Sequence, residues 1–464
     1  MNELIYKYFK EISKIPRETY HIDEISDYLV NFAKERGLEV IQDDTKNVII
    51  KKDASEGYID HEPIIIQGHM DMVCQKTKDS NHDFSTDEIE IIEEKGYLKA
   101  NKTTLGADNG IGMAMALSIL DSDLKHPKIE AVFTVNEEVG MEGASNLDFN
   151  NLESKRLINI DSEDEGILTA GCAGGIRVEV TYQGELISKT GYLYTLSVTN
   201  LFGGHSGIDI DKNRVNAIKC IGEFLSKINN FYLASINGGK VDNAICDDCT
   251  IKFLLENYFE FTNLIDSINE YLKSRGEVNS IVTIEEEKTT TDVFTLEDTK
   301  NIINYIYNSR NGVTSYEDGL DDLVKTSLNF GVVSTDNNTI HIKHSVRSSS
   351  DIERDEIVEM INNNATSINA LVETKNPYSG WKYNENSPLR SLLEKIYKEM
   401  YEEDLTINVV HAGLECGIFV GKRNNLDCVS IGPTILGAHT PEEKVDIESV
   451  NRTYEYLIKI LENL

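Results

Sequence analysis

The sequence predicts an α/β fold, in which a domain with a mostly parallel sheet is interrupted by a second, α+β domain, on three observations. Three apolar runs, Ile64–Ile66, Val132–Val135 and Leu157–Ile160, stop abruptly at polar residues, as strands buried on both faces do. Between the first two lies Ile111–Leu120, apolar nearly all round, as a helix packed between a sheet and other elements would be. Strand, helix, strand in that order is a βαβ unit. From about residue 177 the texture changes to alternating runs such as Tyr194–Val198, and beyond Trp381 the first texture returns. The reading is therefore a first domain in two parts, 1–176 and 381–464, with 177–380 inserted. A chain of 464 residues is too long for one ordinary core, in keeping with that division.

The elements follow in order. Leu4, Ile5, Tyr8, Phe9 and Ile12 lie on one side of a helix over 2–14, and a second helix over 22–36 is closed by Gly37 just beyond its end. This opening is not a basic start followed by an apolar core, so no secretory signal is read there. The first strand delivers His69 and Asp71 at its end, the second Glu137 and Glu138, the third Asp161. Adjacent strand residues face opposite ways, so Glu137 and Glu138 share a site only if the strand has ended and the chain is turning. Within the insertion, amphipathic helices are expected near 211–229 and 352–371. After it come a helix over 388–401 and a short strand, Cys428-Val-Ser-Ile, followed by a loop with His439. In open α/β sheets ligands bind outside the carboxyl ends of the strands, where all these residues fall.

Composition narrows the partners. Lys plus Arg number 45 against 79 Asp plus Glu, a formal net charge of −34, which repels phosphate backbones and anionic lipid. Nucleic acid is excluded as a partner, and without an apolar run of about 18 residues so is a membrane span. Seven cysteines, an odd number in a chain without an export signal, suit free thiols in a cytoplasm. Cys246-Asp-Asp-Cys249 has a metal-like spacing but no second pair, and is read as structural.

His69, Asp71, Asp108, Glu137, Glu138, Asp161 and His439 combine imidazoles and carboxylates with no thiolate. That donor set suits two divalent ions of the zinc class in a hydrolytic site, with cobalt and manganese also compatible. Asp108, in Leu-Gly-Ala-Asp-Asn-Gly, has small neighbours and is assigned as the bridge. Each ion then takes His69 or His439, Asp161 or Glu138, and one oxygen of Asp108. Three carboxylates against two dications leave one positive charge, which a bridging hydroxide cancels; paired ions lower the pKa of water toward roughly 7 and polarise a carbonyl. Glu137 is assigned as the general base and Asp71 as the group that orients the His69 ring. His82, His126 and His411 show no comparable placement.

Six stretches carry a resemblance: Gly-His-Met-Asp-Met-Val-Cys-Gln-Lys (68–76), Thr-Thr-Leu-Gly-Ala-Asp-Asn-Gly-Ile-Gly-Met-Ala (103–114), Phe-Thr-Val-Asn-Glu-Glu-Val-Gly-Met-Glu-Gly-Ala (133–144), Asp-Ser-Glu-Asp-Glu-Gly (161–166), His-Ala-Gly-Leu-Glu-Cys-Gly (411–417) and Ser-Ile-Gly-Pro-Thr-Ile-Leu-Gly-Ala-His-Thr-Pro (430–441). Nearly end to end, the chain resembles the cytosolic aminoacyl-histidine dipeptidases, also called Xaa-His, non-specific or carnosine-hydrolysing dipeptidases, within the aminoacylase-like dinuclear zinc metallopeptidases. The resemblance implies the metal and base roles above, a cis peptide after Asp108, and an inserted domain that acts as a lid over a short peptide. It also implies a homodimer. By the same resemblance His205, in Gly-Gly-His-Ser-Gly, faces the developing oxyanion; read alone, it is a turn histidine. Asn243 and Arg347 are implied to hold the substrate's carboxylate and oxyanion region, and an Arg fork suits a carboxylate. The chain departs at Asp242 and Cys246, where relatives carry a basic residue and a proline, which bears on substrate preference.

The expected function is hydrolysis of unblocked dipeptides, including Xaa-His and β-alanyl-histidine. The other readings are an amidohydrolase of the same architecture acting on N-acyl or N-carbamoyl amino acids, and a catalytically silent, metal-stabilised binding protein. Glu137, which is not needed to hold metal, argues against the last.

Overall fold

A computed structural model of the chain describes residues 1–317 and 320–464, with the side chains of all but 320–322. The described residues form two compact units: Met1–Cys172 with Trp381–Val409 and Leu414–Leu464, and Ala173–Gly380 with Val410–Gly413. In chain order the strands are β1 (Glu39–Gln42), β2 (Val48–Lys52), β3 (Ile64–His69), β4 (Ile91–Glu94), β5 (Tyr97–Ala100), β6 (Ile129–Thr134), β7 (Arg156–Asn159) and β8 (Ile167–Cys172). The second unit holds β9 (Gly174–Gln183), β10 (Leu186–Thr199), β11 (Tyr232–Gly238), β12 (Cys249–Leu255), β13 (Ile281–Phe294), β14 (Gly312–Glu317), β15 (Leu320–Asp336), β16 (Thr339–Ser348) and β17 (Leu371–Tyr378), and β18 (Thr406–Val410), β19 (Asp427–Ser430), β20 (Ile435–Leu436) and β21 (Lys444–Asp446) follow.

The helices are α1 (Glu3–Ile12), α2 (Asp23–Glu35), α3 (Ala107–Leu120), α4 (Glu142–Asn146), α5 (Ala217–Leu225), α6 (Thr262–Ser274), α7 (Leu296–Asn308), α8 (Asp351–Thr366), α9 (Pro388–Tyr401), α10 (Glu415–Lys422) and α11 (Ile447–Asn463).

The first unit is built on a sheet in the order β1-β2-β6-β3-β7-β19-β8-β18. Its centre, β6-β3-β7-β19, is parallel, while β1, β2 and β8 pair antiparallel at the flanks. All six residues of β3 and all six of β6 are buried, which is why Ile64–Ile66 and Ala131–Phe133 read as unbroken apolar runs rather than alternating ones. Every residue of α3 except Asp108 is buried too, so its sequence shows no polar face. Because β3, β6, β7 and β19 run the same way, His69, Thr134, Asn159 and Ser430 end on one edge of the sheet. A separate small sheet, β20-β21-β5-β4, holds the hairpin that carries His439.

The inserted unit is antiparallel throughout, in the order β13-β10-β12-β11-β15-β16-β9-β17 with β14 on β15. Helices α5, α7 and α8 cover the sheet, giving the unit its own apolar core. The expected helix over 211–229 is instead a single 3-10 turn, Ile210–Lys212, followed by α5. Asn213 breaks it by adopting φ 54, and Asn216 starts the new helix by accepting the Lys219 N–H at 3.2 Å. No helix among the described residues is long and apolar enough to cross a membrane. All seven cysteines are unpaired, and Cys246 and Cys249 are both buried in the inserted unit's core.

Candidate active site

At the carboxyl edge of the parallel strands, Asp108 divides its two oxygens between two imidazoles. Oδ1 lies 2.9 Å from His69 Nε2, and Oδ2 lies 3.1 Å from His439 Nε2. Each ring meets a second carboxylate: Asp161 Oδ1 is 3.3 Å from His69 Nε2, and Glu138 Oε2 is 3.1 Å from His439 Nε2. Donor atoms of His69, Asp108 and Asp161 lie within 4.8 Å of one another, as do those of Asp108, Glu138 and His439, and those of His69, Glu137 and Glu138. The Asp108–Asn109 peptide bond is cis.

Local structure explains each placement. Strand β6 ends at Thr134, and Asn136 turns the chain at φ 52, so Glu137 and Glu138 leave strand geometry and can share one site. His439 sits at the tip of the β20–β21 hairpin with φ 62. The Asp71 carboxylate accepts the Glu137 N–H at 3.0 Å, the Glu138 N–H at 3.4 Å and the Thr19 hydroxyl at 2.9 Å. Its Oδ1 is 3.5 Å from His69 Nδ1, whose nearest acceptor is the Asp71 main-chain oxygen at 3.1 Å. Asp71 thus orients the Glu137–Glu138 turn as much as the His69 ring.

The charges here are strongly coupled. Burial, reinforced by Asp108 and Glu138, pushes the Asp161 carboxyl up to about 6 against the pull of His69. Hydrogen bonds to Asp108 and Glu138 raise His439 to about 11. Burial opposes ionisation of Asp108, yet both imidazoles hold it well below the ordinary carboxylate range. Burial, with Asp161, Glu415 and Glu138 adding to it, lifts Glu137 well above the ordinary range despite His69. The buried Glu138 Oε1 lacks a hydrogen-bond partner, and the buried Asp161 Oδ1 has only the 3.3 Å approach of His69 Nε2. Orphaned acceptors in a crowd of carboxylates fit a cation, and two imidazoles with three carboxylates fit a pair of hard or borderline dications.

The inserted unit gathers a second cluster. His205 Nδ1 accepts the N–H groups of Gly207 and Ile208, each at 3.2 Å, so in the neutral ring the proton sits on Nε2. Ser206 N–H donates to the Asn243 main-chain oxygen at 2.8 Å, and the buried Arg347 donates to the Tyr378 hydroxyl at 3.2 Å. Burial, then Arg347, pushes His205 below its ordinary value. His411, set aside in the sequence, belongs to this cluster: its Nε2 lies 2.7 Å from Ser327 Oγ, and burial plus Arg347 push it down to about 3. Asp242, at the departure noted above, is paired with Arg177 Nε at 2.7 Å.

Three further residues of the first unit escape a reading of sequence. Glu415, 1% exposed, accepts Gln67 Nε2 at 2.6 Å and the Thr134 hydroxyl at 2.9 Å, joining the ends of β3 and β6, and burial pushes it up to about 8. Glu443 and Arg17 clamp the loop before Asp108. Glu415 lies in the 411–417 stretch that carries the resemblance, but nothing there points to its partners; Glu443 has no signal, because it acts on main-chain amides.

Peptidase family M20/M25/M40 matches residues 65–463 of the chain. The chain is 35% identical to the cytosol non-specific dipeptidase of Escherichia coli (strain K12), over 99% of this chain and 97% of that relative. It is similar to the crystal structure of aminoacylhistidine dipeptidase from Vibrio alginolyticus, with a TM-score of 0.91, 36% identity, and coverage of 100% and 97%. Aminopeptidase PepT from Bacillus cereus ATCC 10987 shares the fold at a TM-score of 0.58 and 17% identity, covering 99% and 98%.

Proposed function

The chain belongs to peptidase family M20/M25/M40, and from that premise we propose that it is a dipeptidase that hydrolyses unblocked dipeptides, Xaa-His and β-alanyl-histidine among them. The observation that carries this reading is the divided Asp108 carboxylate, one oxygen toward His69 with Asp161 and the other toward His439 with Glu138. Likeness over nearly the full length to two relatives named as dipeptidases supports the substrate class.

In this reading His69 and Asp161 would hold one divalent ion and His439 and Glu138 the other, with Asp108 offering one oxygen to each; zinc is the assignment, and cobalt and manganese accept the same donors. When bound, such a pair supplies an acidified water and polarises a carbonyl. Glu137, half-buried beside His69 and Glu138, takes the proton at its carboxylate and passes it to the leaving amine. Asp71 fixes the turn on which Glu137 and Glu138 stand, through their own N–H groups. We assign the inserted unit as the lid, with the Nε2–H of His205 donating to the oxyanion, and Asn243 and the Arg347 guanidinium taking the substrate's carboxylate and oxyanion region. We assign the chain to the cytoplasm, following the Escherichia coli relative, and its working form as a homodimer, which sedimentation tests.

The test is a panel of free-amine dipeptides set against N-acetyl and N-carbamoyl amino acids, with and without a chelator. Cleavage of the dipeptides alone, abolished by chelation and restored by added metal, is expected. Full turnover after verified metal removal rejects the metal reading, and preference for blocked amines replaces the dipeptidase by an amidohydrolase.

A further inference from the structure

We propose that Glu443 is a positioning residue: by tying the hairpin that carries His439 to the loop that carries Asp108, it sets the bridging carboxylate between the two imidazoles. The proposal rests on the dinuclear reading above.

Glu443 is 2% exposed, and both of its oxygens are committed to main-chain amides. Oε2 accepts the N–H groups of Leu105 at 2.7 Å and Gly106 at 2.9 Å; Oε1 accepts those of Ala107 at 2.7 Å and Asp108 at 3.3 Å. Gly106 caps α3 and Ala107 and Asp108 are its first residues, so three of these amides have no helical acceptor, and a carboxylate there also meets the positive end of the helix dipole; Leu105 lies just before the cap. Asp108 and Asn109 have non-helical backbone angles, so the helix itself does not fix where Asp108 points. The acceptor that does fix its main chain comes from the turn that presents His439. That turn is closed by Thr440 N–H on the Gly437 oxygen at 3.2 Å and by Glu443 N–H on the Thr440 oxygen at 3.0 Å.

The loop is held from its other face by Arg17. This buried guanidinium donates to the oxygens of Gly106, Met70 (3.0 Å) and Asp71 (3.1 Å), and so reaches the end of β3 beside His69. Burial works against its charge, and Glu443 is the largest charge in its favour. Glu443 and Arg17 together therefore register three chain segments, each of which carries a proposed ligand.

Many buried carboxylates merely stabilise a fold, and Glu130 provides the comparison. It is fully buried and accepts the Glu153 N–H at 2.9 Å and the Ser154 N–H at 3.0 Å, at the start of β6, the end away from Glu137. Glutamine in either place keeps the shape, but turns an NH2 toward amide donors.

Metal affinity and stoichiometry are measured by competition with a chromophoric chelator, using zinc and manganese, on the wild-type holoenzyme and on Glu443→Gln, Glu443→Asp and Glu130→Gln. Glu443→Gln is expected to weaken binding about 10–100-fold, the range for groups that orient ligands, with Glu443→Asp between it and wild type and excess metal recovering turnover. Glu130→Gln is expected to lower the thermal midpoint and leave metal affinity unchanged. Wild-type affinity in Glu443→Gln, or equal loss in Glu130→Gln, overturns the proposal. Should the Glu443 variants not fold, hydrogen exchange on the wild-type chain decides: amides 105–108 are expected to be protected with and without metal, and rapid exchange there overturns it. A wild-type chain that takes up no metal refutes the dinuclear reading and this proposal together. Two ions in wild type with an unaffected Glu443→Gln refute this proposal alone.

Discussion

At the scale of single residues, the site turns on which carboxylates hold and which exchange protons. Glu138 and Glu137 are neighbours in sequence, yet Glu138 meets His439 at 3.1 Å, while Glu137 has no role in the Asp108 pairings. Glu137→Gln is therefore expected to retain metal in a chelator competition and to lose about 10²–10⁴-fold in kcat, the usual weight of a positioned acid–base group. Unchanged kcat would transfer the proton role to another carboxyl, and loss of metal would make Glu137 a ligand. The convergence of His69, Asp108, Glu138, Asp161 and His439 is legible in sequence because a ligand must be a polar side chain at a strand end or loop, where an apolar run is interrupted. Glu443 and Glu415 are not legible. Their partners are main-chain amides and buried hydroxyl or amide groups, which no local pattern of residues reveals. The surroundings of His411 are hidden for a related reason: its neighbours, Ser327 and Arg347, lie on strands far from it in sequence.

At the scale of elements, glycine shows how closely the site is packed. Gly106 has φ 69, and a Cβ there would lie 2.4 Å from an Arg17 nitrogen and 2.7 Å from Met72 Sδ. Gly57, at φ 91, would meet nothing within 4 Å. Both alanine variants carry the backbone cost of a left-handed residue, roughly 1–2 kcal/mol, but only Gly106→Ala adds the displacement of Arg17, about 1–3 kcal/mol more. Urea denaturation of the metal-free protein is expected to order them so, with Gly106→Ala alone weakening metal binding. Strand β16 carries a second expectation. His344 is fully buried with its Nε2 2.9 Å from the Tyr305 hydroxyl, and burial, helped by Lys219, pushes it down to about 3. Between that value and roughly 6.5 the unfolded chain binds a proton that the native state does not, so stability is complete above the unfolded pKa and falls as pH drops below it. Going from pH 7 to pH 5, wild type should lose about 2 kcal/mol more unfolding free energy than His344→Asn. Equal slopes in denaturant melts would show that His344 protonates in place. The elements that carry these residues are legible to different degrees. The long, strongly periodic helices α1, α2 and α9 are readable from their apolar stripes. The break at Asn213 is not, since a polar residue on a helix surface and one that turns the chain look alike in sequence. Nor is the small sheet that presents His439, because β20 and β21 are too short to show a period.

At the scale of the whole molecule, two cores share one chain. The first unit packs Ile5, Phe9, Ile66, Met113, Phe133, Ile158 and Leu457 into one cluster; the second packs Val180, Leu196, Ile221, Phe253, Phe330 and Ile342 into another. The insertion separates Cys172 from Trp381 in sequence, but Cys172 N–H and Trp381 N–H each donate to the other's oxygen at 2.9 Å, which lets the first unit close as if uninterrupted. All six residues of the candidate metal-ligand groups, His69, Asp108, Glu137, Glu138, Asp161 and His439, belong to that unit. A ligand that binds only the native state stabilises what it binds by RT ln(1 + [L]/Kd), about 2.7 kcal/mol at a hundred times Kd. Calorimetry of the metal-free chain is therefore expected to show two transitions, of which added zinc raises one by roughly 5–10 °C and leaves the other in place. Acidification to pH 5 in chelator should lower the transition that zinc does not move, because His344 lies in the other unit. The transition can be assigned independently by His439→Ala, which should shrink the zinc shift without touching the second midpoint. A single transition that moves as a whole with zinc would mean that the two units unfold together. The metal centre would then stabilise the entire chain rather than the half that holds it.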